Sequence, residues 1–299
     1  MPVVKRKASP PTSWRLQLGP AVGTAADFWV LARCPALDEH ERRRDPDHGE
    51  LTHVLRYQLP TRTVVARVPA RIEDLWQIRG GPLLGVGEPL GYLEIDPTGA
   101  REVALDDVPG TFSRMWGPDA DHVFACGSHA PFVLYRRMGQ WVRLALPDGV
   151  EGLYDVCGRH EREVYFVGDR GVIVRWDGRS LTRMHVPTSA YLTGIVALDD
   201  ASFCVCGYQG TLLRGNGSGW TPIATGLDAD LLSLAALEGK VYFGSDDAVW
   251  SFDGVRPPAP AIEIAARWVS GLDDGLVISY ADDAWLYRAG ALTRLDTSL

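Results

Sequence analysis

Paired carboxylates can pass a proton or hold a divalent cation, and this chain offers several: Asp119-Ala120-Asp121-His122, His160-Glu161-Arg162-Glu163, Asp199-Asp200 and Asp273-Asp274. Each cluster lies at the same place, just before a short apolar run. A feature that keeps step with a repeat is explained by the turn it occupies, because Asp side chains bond backbone amides close by. These clusters are therefore predicted to shape turns. The histidines, His40, His48, His53, His122, His129, His160 and His185, are scattered, and none forms an H-x-x-x-H or H-E-x-x-H pair. There is no Gly-x-Ser-x-Gly elbow. Gly85-Val86-Gly87-Glu88-Pro89-Leu90-Gly91 imitates a phosphate loop but lacks its lysine and leads into a strand. Cys204 and Cys206 share a face at strand spacing, yet no second pair stands at a zinc-like interval. With Cys126 and Cys157 they fall in apolar runs and are predicted to be small buried hydrophobes. No catalytic set, metal site or cofactor is predicted.

The elements that carry these residues recur. Leu83-Leu84-Gly85-Val86-Gly87, His122-Val123-Phe124-Ala125-Cys126-Gly127, Glu163-Val164-Tyr165-Phe166-Val167-Gly168 and Ser202-Phe203-Cys204-Val205-Cys206-Gly207 read alike, their last glycines 40, 41 and 39 residues apart. An apolar run precedes each, a second apolar strand follows after a tight turn, and a third follows that. Each unit thus holds four short strands, A to D. Looser copies occupy both ends of the chain: Phe28-Trp29-Val30-Leu31 first, Val241-Tyr242-Phe243-Gly244 and Leu276-Val277-Ile278-Ser279 last. No stretch keeps a helical period. A small sheet with two apolar faces must be covered on both, and radial stacking does this. The end units are as apolar as the middle ones, which favours a closed ring over an open solenoid. The expectation is an all-β, seven-bladed β-propeller of four-stranded antiparallel blades, with units near 13–71, 72–110, 111–151, 152–191, 192–230, 231–264 and 265–299. Residues 1–12 are expected to form a flexible leader. The ten tryptophans fall mostly on strands, where packing between blades accounts for them.

The pattern resembles the bacterial propeller repeats of the WD40/YVTN/BNR-like superfamily, best in Val164-Tyr165-Phe166-Val167-Gly168-Asp169-Arg170-Gly171-Val172-Ile173-Val174-Arg175-Trp176-Asp177-Gly178. The resemblance spans nearly the whole chain and implies the fold. The Gly-His pair of WD40 repeats and the Ser-x-Asp-x-Gly-x-Thr-Trp box of sialidases are both absent, so no sialidase activity is implied.

One stretch breaks the repeat. Residues 34–52 replace a tight B–C turn with six carboxylates and three consecutive arginines. Long charged loops on rigid domains often carry function. Asp38, Glu39, Glu41, Arg42, Arg43, Arg44, Asp45 and Asp47 are therefore candidates for partner binding. In a propeller the B–C turns and D–A connections emerge at one end of the ring. That adds His129, Arg170, Tyr208, Gln209, Asp246 and Asp283 to the candidate surface, beside Asp169, Asp247 and Asp282, with Glu73, Glu151, Tyr191, Asp230 and Arg267 from the D–A side.

A net charge of −8 argues against a nucleic-acid surface and suits a protein partner with a basic patch. No apolar run approaches the ~20 residues of a membrane helix. The odd cysteine count and charged N-terminus point to a cytoplasmic protein, and a monomer is expected. The leading expectation is a non-catalytic protein-binding propeller, in its concrete form an immunity or regulatory protein that caps an enzyme or toxin. The alternative is a propeller enzyme of lyase, glycosidase or lactonase type, working at the mouth of the central channel.

Overall fold

A strand that is apolar on both faces needs a neighbour above and below. The B strand Phe203–Gly207 is buried at all five positions, whereas the D strand Ala291–Arg294 is exposed at all four. Burial thus falls from the ring's interior to its rim. The computed structural model describes residues 16–33, 52–78, 81–88, 91–105 and 108–298. Among them, 28 strands form seven sheets, each built from four consecutive strands paired antiparallel. This is the seven-bladed all-β propeller expected from the repeat. No helix among the described residues is long and apolar enough to cross a membrane.

The seven A strands are Gln17–Thr24, Arg71–Gln77, Thr111–Asp119, Leu153–His160, Leu192–Ala197, Leu234–Leu237 and Trp268–Leu272. Apolar clusters between neighbouring blades hold the ring. One sets Phe124, Cys126 and Val133 of blade 3 against Val156, Val164, Phe166 and Val174 of blade 4.

The glycines that mark the repeat have a steric cause. Each ends a B strand where the entry to an A strand presses closest. A Cβ at Gly87, Gly127, Gly168 or Gly207 would stand 1.9–2.2 Å from a carbonyl oxygen there, and one at Gly244 would stand 2.3 Å from the Ala266 carbonyl oxygen at the entry to the next blade. In blade 7 the equivalent residue is Ser279, and its hydroxyl donates to the Leu18 carbonyl of blade 1 at 2.7 Å. The acidic clusters before the B strands do shape turns. Asp119 Oδ1 accepts the Asp121 amide at 2.9 Å, and Asp200 Oδ1 accepts the Ser202 amide at 3.1 Å. Asp274 instead reaches across to blade 1, where it accepts the Ala25 amide at 2.6 Å.

That contact belongs to the seam that closes the ring. Among the described residues, no blade combines strands from both ends of the chain. Blades 1 and 7 meet through a shared apolar cluster containing Leu16, Leu18, Phe28, Tyr57, Val277 and Leu286. Backbone bonds from Leu16 to Thr297 (2.8 Å) and from Asp273 to Gly23 (2.9 Å) complete it, with the Tyr57 hydroxyl donating to the Asp296 carbonyl at 2.5 Å.

Residues 34–51 lie outside the described residues, and the strands on either side of them do not. Arg33 pairs with Thr52 across the B–C hairpin of blade 1. Thr52, placed in the insertion by sequence, belongs to the C strand Thr52–Gln58. It is fully buried, its hydroxyl donating to the Ala70 carbonyl at 2.7 Å and accepting the Ile72 amide at 3.1 Å.

Candidate functional site

The central channel is lined in register by one residue from each blade: Pro20, Asp74, Arg114, Asp155, Gly194, Ser233 and Trp268. They surround a cavity of about 280 Å³. Three of them brace the next blade. Asp74 accepts the Met115 amide at 2.9 Å, Asp155 the Ile195 amide at 2.8 Å, and Ser233 the Val269 amide at 2.7 Å. Each bond joins one A strand to the next, so polar side chains help to set the diameter of the ring.

Arg114 faces groups from three other blades in this channel. Its guanidinium donates to the Glu73 carbonyl at 3.1 Å, and its centre lies 5.5 Å from the Trp268 ring. The Asp74 and Asp155 carboxylates flank it at 3.9 and 3.8 Å, beyond direct hydrogen bonding. Burial pushes the Asp74 carboxyl up to about 7, against the opposing pull of Arg114 and the Met115 amide. Burial raises Asp155 too, again opposed by Arg114. The arrangement is a braced charge cluster in which one guanidinium stands near two carboxylates. Among the described residues, no three His, Cys, Asp or Glu side chains converge as a metal site.

Above this layer the channel opens into two connected hollows at the end of the ring that carries the B–C turns. One, of about 330 Å³, is lined by Arg71, Glu73, His129, Tyr154, Thr193 and Arg267 among others. The other, of about 500 Å³, adds Arg33, Asp230, Asp246 and Tyr280. Glu73 bridges Arg33 at 3.2 Å and also pairs with Arg71.

The structure places the candidate residues unevenly. Asp38, Glu39, Glu41, Arg42, Arg43, Arg44, Asp45 and Asp47 lie outside the described residues. His129 and Asp246 reach the channel mouth. Arg170 pairs with Glu151 at 3.1 Å. Tyr208 meets Tyr191, their ring centres 5.5 Å apart, and the Gln209 amide donates to Asp230 at 3.0 Å. Asp283 pairs with Arg294 on the D strand of its own blade.

Residue-by-residue reading missed Asp74, Arg114, Asp155 and Tyr154. A signal for the first three was present: they stand 40 and 41 residues apart, the same intervals that separate Gly87, Gly127 and Gly168. Of the four described cysteines, Cys126, Cys204 and Cys206 are buried as expected and Cys157 is half-buried. They are unpaired, and burial pushes Cys157 and Cys206 up to about 12.

Solved propellers superpose on nearly all of the chain. A catalytically inactive virginiamycin B lyase from Staphylococcus aureus with quinupristin matches at a TM-score of 0.68 and 13% identity, over 93% of this chain and 95% of that one. The RRP9 WD40 repeats match at 0.68 and 13%, over 96% and 94%. These likenesses show the fold alone, a β-propeller. YCF48 bound to D1 peptide shares this propeller shape more loosely, at 0.60 and 10% identity over 75% and 79%. No family model matches the chain. In sequence the chain is similar to the immune protein Tsi7 of Pseudomonas aeruginosa, 36% identical over 141 residues. That match covers 44% of this chain and 45% of Tsi7, so it spans less than half the length of that curated relative.

Proposed function

We propose that this chain is a non-catalytic, immunity-type propeller that binds and caps a protein partner at the end of the ring carrying the B–C turns. The likeness to the immune protein Tsi7 carries this reading. The propeller shape does not choose between functions, because a lyase and a peptide-bound protein share it. Within the fold, the B–C end exposes three aromatic side chains, Tyr191, Tyr208 and Tyr280. Tyrosine offers large contact area at small entropic cost and is enriched where proteins meet. Both ends of the ring carry more carboxylates than arginines. Charge therefore suits a basic partner without selecting an end, and the tyrosines select it. In this reading the chain works as a cytoplasmic monomer.

The test is to isolate the partner with tagged protein from the source cell and assay that partner's activity with equimolar purified chain. Inhibition is expected, with affinity at least tenfold weaker for Tyr208→Ala and unchanged for Met138→Glu in a C–D turn at the opposite end. A partner whose activity is untouched, or equal losses from the two substitutions, would overturn the reading.

A second reading rests on the channel mouth. Its hollows fall in the ~300–1,000 Å³ range that small-molecule sites occupy. A melting temperature raised by a small metabolite, and lost on Arg267→Ala, would favour an enzyme or a sensor.

A further inference from the structure

Two neighbouring B–C turns share one construction. Gly168-Asp169-Arg170-Gly171 in blade 4 and Gly207-Tyr208-Gln209-Gly210 in blade 5 both place their third and fourth residues in left-handed backbone. The φ values are 51° and 69° in the first turn, 56° and 63° in the second. In each, the last glycine's amide donates to the following D–A connection, Gly171 to Ala190 and Gly210 to Ala229, both at 2.7 Å. A Cβ at either glycine would stand 2.0 Å from a carbonyl oxygen of that connection. The second residue's amide donates to the start of its own blade, Asp169 to Gly152 at 3.2 Å and Tyr208 to Tyr191 at 2.9 Å. The side chains of Asp169 and Tyr208 are thus presented by backbone tied down on both sides.

Those side chains sit within one patch. Tyr154 donates its hydroxyl to Asp169 Oδ1 at 2.6 Å, while Asp169 Oδ2 lies over Gly152, where a Cβ would come within 2.5 Å. Tyr191 and Tyr208 form a pair tilted by 42° and remain 43% and 38% exposed. Burial raises the Tyr154 hydroxyl, and so do the Asp169 carboxylate and the neighbouring Tyr191 and Tyr208 hydroxyls. Asp230 is held beside the pair by the Gln209 amide. The nearby cation, Arg170, is already engaged by Glu151.

We propose that Tyr154, Tyr191 and Tyr208, with Asp169 and Asp230, form a receptor for one arginine or lysine side chain projecting from the partner protein. The proposal rests on the partner-binding reading and names the chemistry of its contact. Aromatic surface attracts cations, and a fixed carboxylate beside it completes the charge. A neutral or anionic side chain gains neither. Because the turns are preorganised, binding costs little ordering of the receptor. The net charge of −8 adds long-range attraction for a basic partner.

The test uses the full chain with ¹³C-labelled tyrosine rings, the ten signals assigned through single Tyr→Phe variants. The probes are N-acetyl-arginine methylamide and its neutral isostere, N-acetyl-citrulline methylamide. Arginine should shift the Tyr154, Tyr191 and Tyr208 signals together on one millimolar binding curve, and citrulline should not. Asp169→Asn, whose amide oxygen still accepts the Tyr154 hydroxyl, should weaken arginine binding at least threefold. Three unmoved signals, or equal shifts with citrulline, would overturn the proposal. A partner complex that forms while arginine leaves these rings unmoved removes the cation site and keeps the partner-binding reading. Arginine binding here, with no protein partner found, keeps the cation site and removes that reading.

Discussion

Replacing Asp74 with asparagine should alter stability in a way that depends on pH, with a sign that follows from the channel geometry. Asparagine preserves the oxygen that accepts the Met115 amide and removes the charge beside Arg114. In the folded chain burial raises the Asp74 carboxyl from 3.8 to about 7. The folded state therefore keeps a proton there that the unfolded state releases between pH 4 and 7. The contribution of this group to stability is fully present below about pH 4 and is lost as pH rises through 7. About three pH units correspond to about 4 kcal/mol, at ~1.4 kcal/mol per unit. The reason Arg114 does not cancel this cost is distance: at 3.9 Å it makes no direct hydrogen bond to the carboxylate. Asp74→Asn should thus be close to neutral at pH 4.5 and should gain on wild type up to pH 8, by an amount approaching 4 kcal/mol. Urea unfolding of both proteins at several pH values measures it, because the difference between them cancels the titrating groups outside this cluster. A difference that stays flat between pH 4.5 and 8, or one that grows in favour of wild type, would refute the reasoning.

Ser233→Ala should cost about 1–2 kcal/mol, because it strands the buried Val269 amide that the hydroxyl now accepts, and urea unfolding would show it. Gly207→Ala should cost at least about 3 kcal/mol, since its Cβ would meet the Tyr191 carbonyl oxygen at 2.2 Å. Gly226→Ala, with φ +70° and no atom within 4 Å, should cost only ~1–2 kcal/mol, and equal melting temperatures for the two would contradict the close-approach argument. Replacing residues 34–51 with Asn-Gly, while keeping Thr52, should leave the melting temperature within a few degrees of wild type, because Arg33 and Thr52 already pair at the base of that hairpin. Removing Thr52 as well should cost a further ~1–3 kcal/mol through its two buried bonds.

The blades were legible in sequence because one steric event, a B strand ending against the entry to its A strand, demands glycine at intervals near forty residues. Where the event is managed otherwise, as at Ser279, the repeat loosens, and the last unit is correspondingly harder to see. The turn role of Asp119 and Asp200 was legible for the same reason of register. The channel cluster was harder. Asp74, Arg114 and Asp155 keep the repeat interval but differ in charge from blade to blade, so a search for similar residues passes over them. The Tyr191–Tyr208 pair joins the entry to the A strand of blade 5 with the B–C turn of the same blade, a proximity set by the pairing of Leu192 with Gly207 rather than by any similarity between repeats. What Asp274 does was not legible at all, since its partner Ala25 is 249 residues away.

The seam has a consequence for how the chain folds. Pairing within a blade joins residues 3 to 31 positions apart, so each sheet can assemble while the rest of the chain is still disordered. The bonds between blades 1 and 7 span 234–281 residues, and their loop-closure entropy must be met in a single step. Contact order therefore concentrates in one joint, which should form last and open first. Because the Leu16 amide already bonds to Thr297 there, a short linker between those residues would turn the long closure into a local one. A circular permutant opened between blades 3 and 4 would keep every sheet whole and move the slow joint to the new break.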